Sequence, residues 1–327
     1  MRTIAAIFLL VTAVASGTHA GESLLVSGAL SDPSIAAPLL HWKVTGDDGG
    51  SWRLGLTGWT MDGGWAKPVG AGRMIVLSAE ATPIHAHNSN RMYQDGKRVG
   101  SMEYENGAYR VGVGIRFVQS ESATAGASLV ALYERIGGID DPEVVAYWKR
   151  PYSGFELTHS FSRTTARSPL IAAFDGIETD VRVEQLFGRK SWTRVHISGT
   201  AARTFGRVHL RQSLTAMSGR SLNVVNRFLA GGSWDALGGD AVYGSRYGEY
   251  RVGRAAIASG GADWLLPRHW RVGVRGSLMR SDVANTYGHA INASTTWRTF
   301  GFNFGVGKPQ GGSAVAYASI VAPLYRK

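Results

Sequence analysis

The sequence contains no cysteine at any of its 327 positions. This absence excludes a disulfide framework, a thiolate metal site, a cysteine nucleophile and a lipid anchor on cysteine. Long hydrophobic runs are missing as well, because no stretch of about eighteen apolar residues follows Ala20, and the sequence therefore predicts no transmembrane helix. Charged residues are also scarce, at 18% of the chain. Nucleotide-binding loops, Gly-x-Ser-x-Gly elbows and His-Glu-x-x-His motifs do not occur.

The first twenty residues have the pattern of a secretory signal peptide. Arg2 precedes an apolar run from Ile4 to Ala15, and Thr18-His19-Ala20 forms a small-x-small cleavage site before Gly21. We therefore expect residues 1–20 to be removed and residues 21–327 to form one domain. The formal net charge of +11 would suggest nucleic acid in a cytosolic protein. Export removes that partner and favours anionic lipids or glycans.

Strict alternation of apolar and polar residues recurs along the mature chain. From Tyr109 to Phe117 every odd position is apolar, whereas the even positions are arginine or glycine. Such a segment is typical of a β-strand with one apolar face. A soluble sandwich and an outer-membrane barrel both produce this pattern. The signal peptide, the tryptophans near strand ends and the arginine-rich opposite face favour the barrel.

We therefore predict an all-β protein, a closed antiparallel outer-membrane β-barrel of roughly 12–16 strands. Its location would be the cell outer membrane, and the barrel-assembly machinery would be a partner. Residues 97–104 and 108–118 are predicted as separate strands joined by a tight turn at 105–107. Residues 222–232 and 243–258 are predicted as two more strands.

Arginines recur on the face of these strands that would line the lumen. Two interpretations stay open: a structural network with Glu184 and other acids that fills the lumen, or an anion-attracting channel. The arginines concerned are Arg110, Arg116, Arg182, Arg194, Arg211, Arg251, Arg271 and Arg275.

One segment carries a pattern of catalytic residues, namely His87-Asn88-Ser89-Asn90. His87 and Ser89 are two residues apart on a predicted strand, so they project to the same face with Cα atoms about 6–7 Å apart. By parity this is the lipid face, which continues from Ile75 and Leu77. A histidine and a serine at this separation can act as the base and the nucleophile of acyl transfer. The alternative is an ordinary strand end at the membrane interface.

The His-x-Ser-Asn pattern resembles that of outer-membrane phospholipase A and of the lipid A 3-O-deacylase barrels, over about 35 residues. The resemblance implies a serine esterase acting on an acyl ester of a membrane lipid, either a phospholipid or lipid A. His87 would be the base, Ser89 the nucleophile, and the backbone N–H of Asn90 would help hold the oxyanion.

The following loop leaves the third catalytic residue open between Gln94 and Asp95. Gln94 has the matching strand parity, whereas Asp95 offers a carboxylate that can orient an imidazolium. Arg91, Lys97 and Arg98 could bind lipid phosphates or form an ordinary solvated loop. The phospholipases use calcium and the deacylases do not, and this loop offers few carboxylates. We therefore expect no cofactor, or at most a weak calcium dependence.

The competing interpretation is a non-enzymatic outer-membrane barrel: a channel, a glycan-export pore or an assembly barrel. A close His87–Ser89 pair on the outer surface would favour the esterase. A wide open lumen with a separated pair would favour the pore.

Overall fold

The computed structural model describes residues 23–31, 35–45, 49–57, 60–94, 97–137, 150–168, 173–223, 226–232, 241–245, 249–297 and 300–325. Side chains are described in these ranges except at 23–41, 57, 83–106, 136–137, 166–168, 173 and 319–325. The predicted signal peptide, residues 1–20, lies outside the described residues. In the described part of the chain, no helix is long and apolar enough to cross a membrane.

The described chain is made of β-strands. The first nine are β1 (Ser23–Ser31), β2 (Ile35–Thr45), β3 (Ser51–Thr57), β4 (Thr60–Gly70), β5 (Arg73–Gln94), β6 (Lys97–Ser120), β7 (Ala123–Gly137), β8 (Arg150–Ser168) and β9 (Ala173–Phe187). The next nine are β10 (Trp192–Phe205), β11 (Val208–Arg220), β12 (Phe228–Ala230), β13 (Tyr250–Val252), β14 (Arg254–Leu265), β15 (Arg271–Ser281), β16 (Asn285–Trp297), β17 (Phe300–Pro309) and β18 (Val315–Tyr325).

Sixteen of these strands form a closed antiparallel barrel in which chain neighbours pair. The ring closes between β1 and β18, where Ser23 pairs with Tyr325. The single interruption among the described strands follows β11, which pairs with β14, while β12 and β13 form a separate two-stranded ribbon. The predicted fold and strand number are thereby confirmed.

The alternation of side chains follows the prediction on β6. Val111, Val113, Ile115 and Phe117 are 42–56% exposed on the outside of the barrel. Arg110, which precedes Val111, is turned inward and bonded to acids on other strands. An exposed apolar outer band with a polar interior is the arrangement that a barrel adopts in the outer membrane.

The two ends of the barrel differ in their connections. Ser23, Tyr325 and two-residue turns such as 71–72, 121–122 and 206–207 lie at one end. Short turns face the periplasm in outer-membrane barrels, so this is the periplasmic end, and the opposite end faces outward. The long connection between β11 and β14 therefore begins at the outer end.

Three of the predicted segments differ from the structure. The tight turn at 105–107 is absent, since β6 runs unbroken from Lys97 to Ser120. Thr82 pairs with Ala108 and Ala86 with Asn106, so residues 83–85 bulge opposite Gly107. The Asn-Gly pair that favours a turn is absorbed by this bulge. Instead of the strand predicted at 222–232, the described residues of that range form only the three-residue β12. The strand predicted at 243–258 is divided between β13 and β14.

Candidate functional site in the lumen

A network of ion pairs lines one side of the lumen, on β6, β8, β9 and β10. Glu184, whose side chain is 0% exposed, accepts hydrogen bonds from Arg110 and from Arg194 Nε, the latter at 2.5 Å. Glu156 accepts from Arg110 Nη2 at 2.7 Å and from Arg182 Nε at 2.6 Å. Each guanidinium therefore has a carboxylate partner, as burial of charge requires. This is the structural network that the sequence predicted as one of two alternatives.

The adjoining part of the lumen wall, on β11, β14 and β15, is apolar at its outer end. Met217 on β11, Ile257 on β14 and Met279 on β15 face inward and are at most 4% exposed. Side chains of this kind would be left in water in an open, polar lumen. They are covered by the described residues of the connection between β11 and β14, namely 221–223, 226–232, 241–245 and 249–253, which we call the inward loop. Phe228, Ala230, Val242, Tyr250 and Val252 of this loop form one hydrophobic cluster with Met217, Ala255, Ile257, Met279 and Ala284.

The inward loop leaves β11 through a sharp turn and reaches the inner face of β7, which lies beyond β10, β9 and β8 in the ring. Ser221, just after β11, has a left-handed φ of 59°. Leu222 then packs against two apolar clusters, the one described above and a second one on β7 to β10. Asn223 Nδ2 donates to Glu134 on β7 at 3.3 Å, and Asn226 N donates to Asn223 Oδ1 at 2.9 Å. The loop thus contacts wall strands that are distant from its own two ends.

A third contact joins the loop to β15, β16 and β17. Tyr243 N donates to Ser277 Oγ at 2.8 Å. The loop backbone lies so close to the wall that a Cβ added to Gly288 would be 1.8 Å from Tyr243 O. A Cβ added to Gly307 would be 2.6 Å from Gly244 Cα. These two wall glycines form a notch for residues 243–244, since any side chain there would exclude the loop.

A second polar cluster lies inside the barrel at the periplasmic end. Asp263 accepts from Arg271 Nη2 at 2.7 Å and from Arg275 Nη2 at 2.8 Å. Beside it on β11, buried His209 lies with its Nδ1 3.0 Å from Thr204 Oγ1 and 3.5 Å from an Asp175 oxygen. Both acids are paired with cations or hydroxyl groups, so this cluster holds neighbouring strands together. Within the described residues, no group of three metal-binding side chains occurs.

The predicted esterase residues lie on the hairpin of β5 and β6. His87, Ser89, Asn90, Arg91 and Gln94 are on β5, and Lys97 and Arg98 are on β6. Their side chains, and Asp95 altogether, lie outside the described part of the structure. The catalytic, oxyanion and phosphate-binding roles therefore stay predictions.

The backbone gives the height of that hairpin. Ala81 pairs with Met61 near the start of β4, so β5 beyond Thr82 has no partner on its β4 side among the described pairs. His87 pairs with Glu105 and Ser89 with Glu103. Glu105 and Glu103 lie four and six residues from Tyr109, toward the outer end of β6. Tyr109 is an exposed aromatic residue at the outer edge of the apolar band. The hairpin thus projects outward beyond that edge.

The predicted strand pattern does not include the inward loop. The signal that could have revealed it is a break in the lumen pattern. On β11, β14 and β15 the inward positions change from His209, Asp263 and Arg271 near the periplasm to methionine, isoleucine and alanine near the outside. An apolar patch on the inner face of a barrel indicates that another part of the chain covers it.

Comparisons with known proteins show the fold. The chain matches no protein-family model and no curated protein. It is similar to the solved structure of BamA from Haemophilus ducreyi lacking POTRA domains 1–3, with a TM-score of 0.66, 9% identity, and coverage of 93% of this chain and 70% of that one. It is also similar to CdiB from Escherichia coli (TM-score 0.61, 12% identity, 94% and 64% covered) and to CdiB from Acinetobacter baumannii (TM-score 0.59, 13% identity, 93% and 60% covered).

The chain therefore spans less than two thirds of either CdiB chain. Together with the apolar outer band, these likenesses define the class: an outer-membrane β-barrel of sixteen strands. Within that class, this chain is a barrel whose lumen holds a folded loop.

Proposed function

We propose that the chain is a non-enzymatic outer-membrane barrel, a gated conduit whose inward loop closes the lumen at rest and moves aside when cargo passes. A barrel of sixteen strands is wide enough to leave an aqueous channel. The observation that carries the proposal is the inward loop, which is packed against β7, against β11, β14 and β15, and against β16 and β17.

The energy of these contacts suits a gate. Val242 and Val252 of the loop are 0% exposed, and full burial of each is worth about 1.5–3 kcal/mol. Hydrogen bonds from Asn223 and Tyr243 join the loop to the wall, and each is worth about 1 kcal/mol. Such contacts keep the loop inside at rest. A cargo that favours the open state by more than the sum of these contacts would move the loop aside.

Of the two interpretations of the lumen arginines, their pairing favours a structural network in the wall and not an anion-attracting channel. Arg110, Arg182 and Arg194 are all bonded to Glu156 or Glu184, so their fields are largely compensated. A selective anion pore presents unpaired cations to the permeating ion. Similarity to the BamA and CdiB barrels supports the barrel fold on which this proposal rests.

The experiment locks the loop in place. Because the chain has no cysteine, the double variant Tyr243→Cys/Ser277→Cys would contain one engineered disulfide between loop and wall. The matched control is Ser213→Cys/Ser259→Cys, which joins two wall residues whose hydroxyl oxygens are 2.5 Å apart. A third variant replaces residues 222–252 by a short Gly-Ser turn. Gly219 N bonds Gly253 O at 2.8 Å, so the ends of that deletion already adjoin.

Conductance is measured on single barrels in planar bilayers. We expect rare openings in the wild type, none in the locked variant until a reductant is added, and a steady large current after the loop deletion. The control disulfide should behave as the wild type. A wild-type current already equal to that of the deletion, or openings that persist with the lock oxidised, would contradict the proposal.

A further inference from the structure

Three arginines follow one another across the outer ends of adjacent strands. Arg220 ends β11, Arg254 begins β14, and Arg280 lies one residue before the end of β15. All three are exposed and alternate with inward-facing neighbours, so they lie on the outside of the barrel. Arg254 pairs with Ser218, and Arg280 with Ala256. The arginines are therefore successive diagonal neighbours, with Cα atoms about 7–8 Å apart.

Their depth is fixed by tryptophans at the periplasmic end of the same strands. Trp264 lies ten residues from Arg254 on β14, and Trp270, just before β15, lies ten residues from Arg280. Both tryptophans are exposed, as in an interfacial girdle. Ten residues span about 33 Å of strand, or about 25 Å along the membrane normal at the usual tilt. This is the height of the apolar band, so the arginines lie at the headgroups of the outer leaflet.

Below the arginines the outer surface forms a shallow apolar groove. Its floor consists of small residues, and Gly276 has no atom within 4 Å of an added Cβ. Leu214 on one side and Leu278 on the other stand out from it, at 67% and 52% exposure. The floor residues are Ala256, Ala258, Gly260 and Gly276. A cationic rim above a smooth apolar groove matches a lipid with an anionic head.

The positive charge of the rim is not balanced by the protein. Like charges on neighbouring strands destabilise a sheet. The carboxylate near the rim is that of Asp282, which accepts from Gly253 N at 3.0 Å and from Arg254 N at 3.2 Å. Across the described residues, no carboxylate forms an ion pair with these three guanidinium groups. With one nearby carboxylate and three guanidinium groups, the rim keeps a net positive charge. An anion from outside the protein can therefore bind there.

We propose that Arg220, Arg254 and Arg280 bind the phosphates of an outer-leaflet glycolipid of the lipid A type, whose acyl chains lie in the groove below. Guanidinium groups bind phosphate through paired, charge-assisted hydrogen bonds. A phosphorylated disaccharide presents more than one phosphate, so it can contact several arginines of the rim at once. This site is separate from the predicted lipid contacts of Arg91, Lys97 and Arg98, and it does not depend on the gate.

The test is lipid binding to the purified full-length barrel in detergent, followed by native mass spectrometry. The probes are bis-phosphorylated lipid A, its dephosphorylated form and phosphatidylglycerol. The variant is Arg254→Gln/Arg280→Gln. The matched control, Arg163→Gln/Arg203→Gln, removes two exposed arginines near the periplasmic ends of β8 and β10. Heat-modifiable gel mobility checks that each variant is folded.

We expect the variant to weaken lipid A binding by about tenfold or more, the control to change it less than about twofold, and Arg254→Lys/Arg280→Lys to restore part of it. The dephosphorylated lipid should bind weakly to every form. Equal binding of phosphorylated and dephosphorylated lipid, or equal loss in variant and control, would overturn the site. Phosphatidylglycerol binding as tight as lipid A would overturn the glycolipid assignment.

Discussion

Replacing Gly288 by alanine should release the inward loop from the wall. The new Cβ would lie 1.8 Å from Tyr243 O and 2.9 Å from Tyr243 C, well inside contact distance. Strand β16 is hydrogen-bonded to both β15 and β17, so the wall cannot yield easily. The loop must therefore move away by more than about 1 Å, which a close-packed contact does not tolerate.

The change in the closed-to-open equilibrium follows from the contacts that are lost when the loop moves away from Gly288. The hydrogen bond from Tyr243 N to Ser277 Oγ, at 2.8 Å, is worth about 1 kcal/mol. Uncovering the adjacent Val242, now 0% exposed, costs about 1.5–3 kcal/mol. Together these terms shift the closed-to-open equilibrium by about 2.5–4 kcal/mol. The fraction of barrels with the loop out should rise by about two to three orders of magnitude.

Open probability in planar bilayers measures this shift directly. The matched control is Gly276→Ala on β15, where an added Cβ meets nothing within 4 Å. Gly307→Ala, which would clash with Gly244 from the neighbouring strand, should reproduce the opening. An open probability of Gly288→Ala equal to that of Gly276→Ala, with both variants folded, would refute the assignment of the notch.

Other expected outcomes concern the wall and the projecting hairpin. Glu184→Gln leaves Arg110 and Arg194 without their shared carboxylate, so the barrel should lose about 2–3 kcal/mol of stability. Circular dichroism should then show unfolding at a lower temperature. An unchanged unfolding temperature would show that lumen water replaces the acid. If the barrel hydrolyses lipid esters, Ser89→Ala should abolish fatty-acid release and His87→Ala should nearly do so, whereas full activity in Ser89→Ala would exclude the esterase. Chelators should leave any such activity largely intact, and loss that calcium alone restores would contradict this.

The wall of the barrel could be predicted from the sequence because alternation is a local property. Each residue from Tyr109 to Phe117 faces lipid or lumen as its parity requires. The ends of strands were harder to predict. Asn106-Gly107 has the composition of a turn, but pairing of β6 with both β5 and β7 keeps the chain extended through it. Neighbouring strands overrode the local preference.

The lumen could be predicted only in part. Glu184 and the arginines around it follow from parity and charge, since buried charges must pair. The inward loop does not, because its position depends on distant residues such as Gly288 and Gly307 meeting Tyr243 and Gly244. Alternation cannot distinguish the short strands of the ribbon from wall strands. Close approach of two backbone segments produces no periodic pattern in the amino-acid sequence.

The seam between β1 and β18 has a consequence for how the protein is assembled. It joins Ser23 to Tyr325, whereas most other wall pairs are sequence neighbours that can form as hairpins. Closing so long a segment is entropically costly and slow, so the seam should form last. Until then the sheet is open between the edge strands β1 and β18, and the segment between β11 and β14 can enter the lumen through this gap. Once the seam is shut, that route is gone. Changes at Gly288 or Gly307 should therefore delay maturation of the barrel as well as open it, because a misplaced loop obstructs the final joining of the edges.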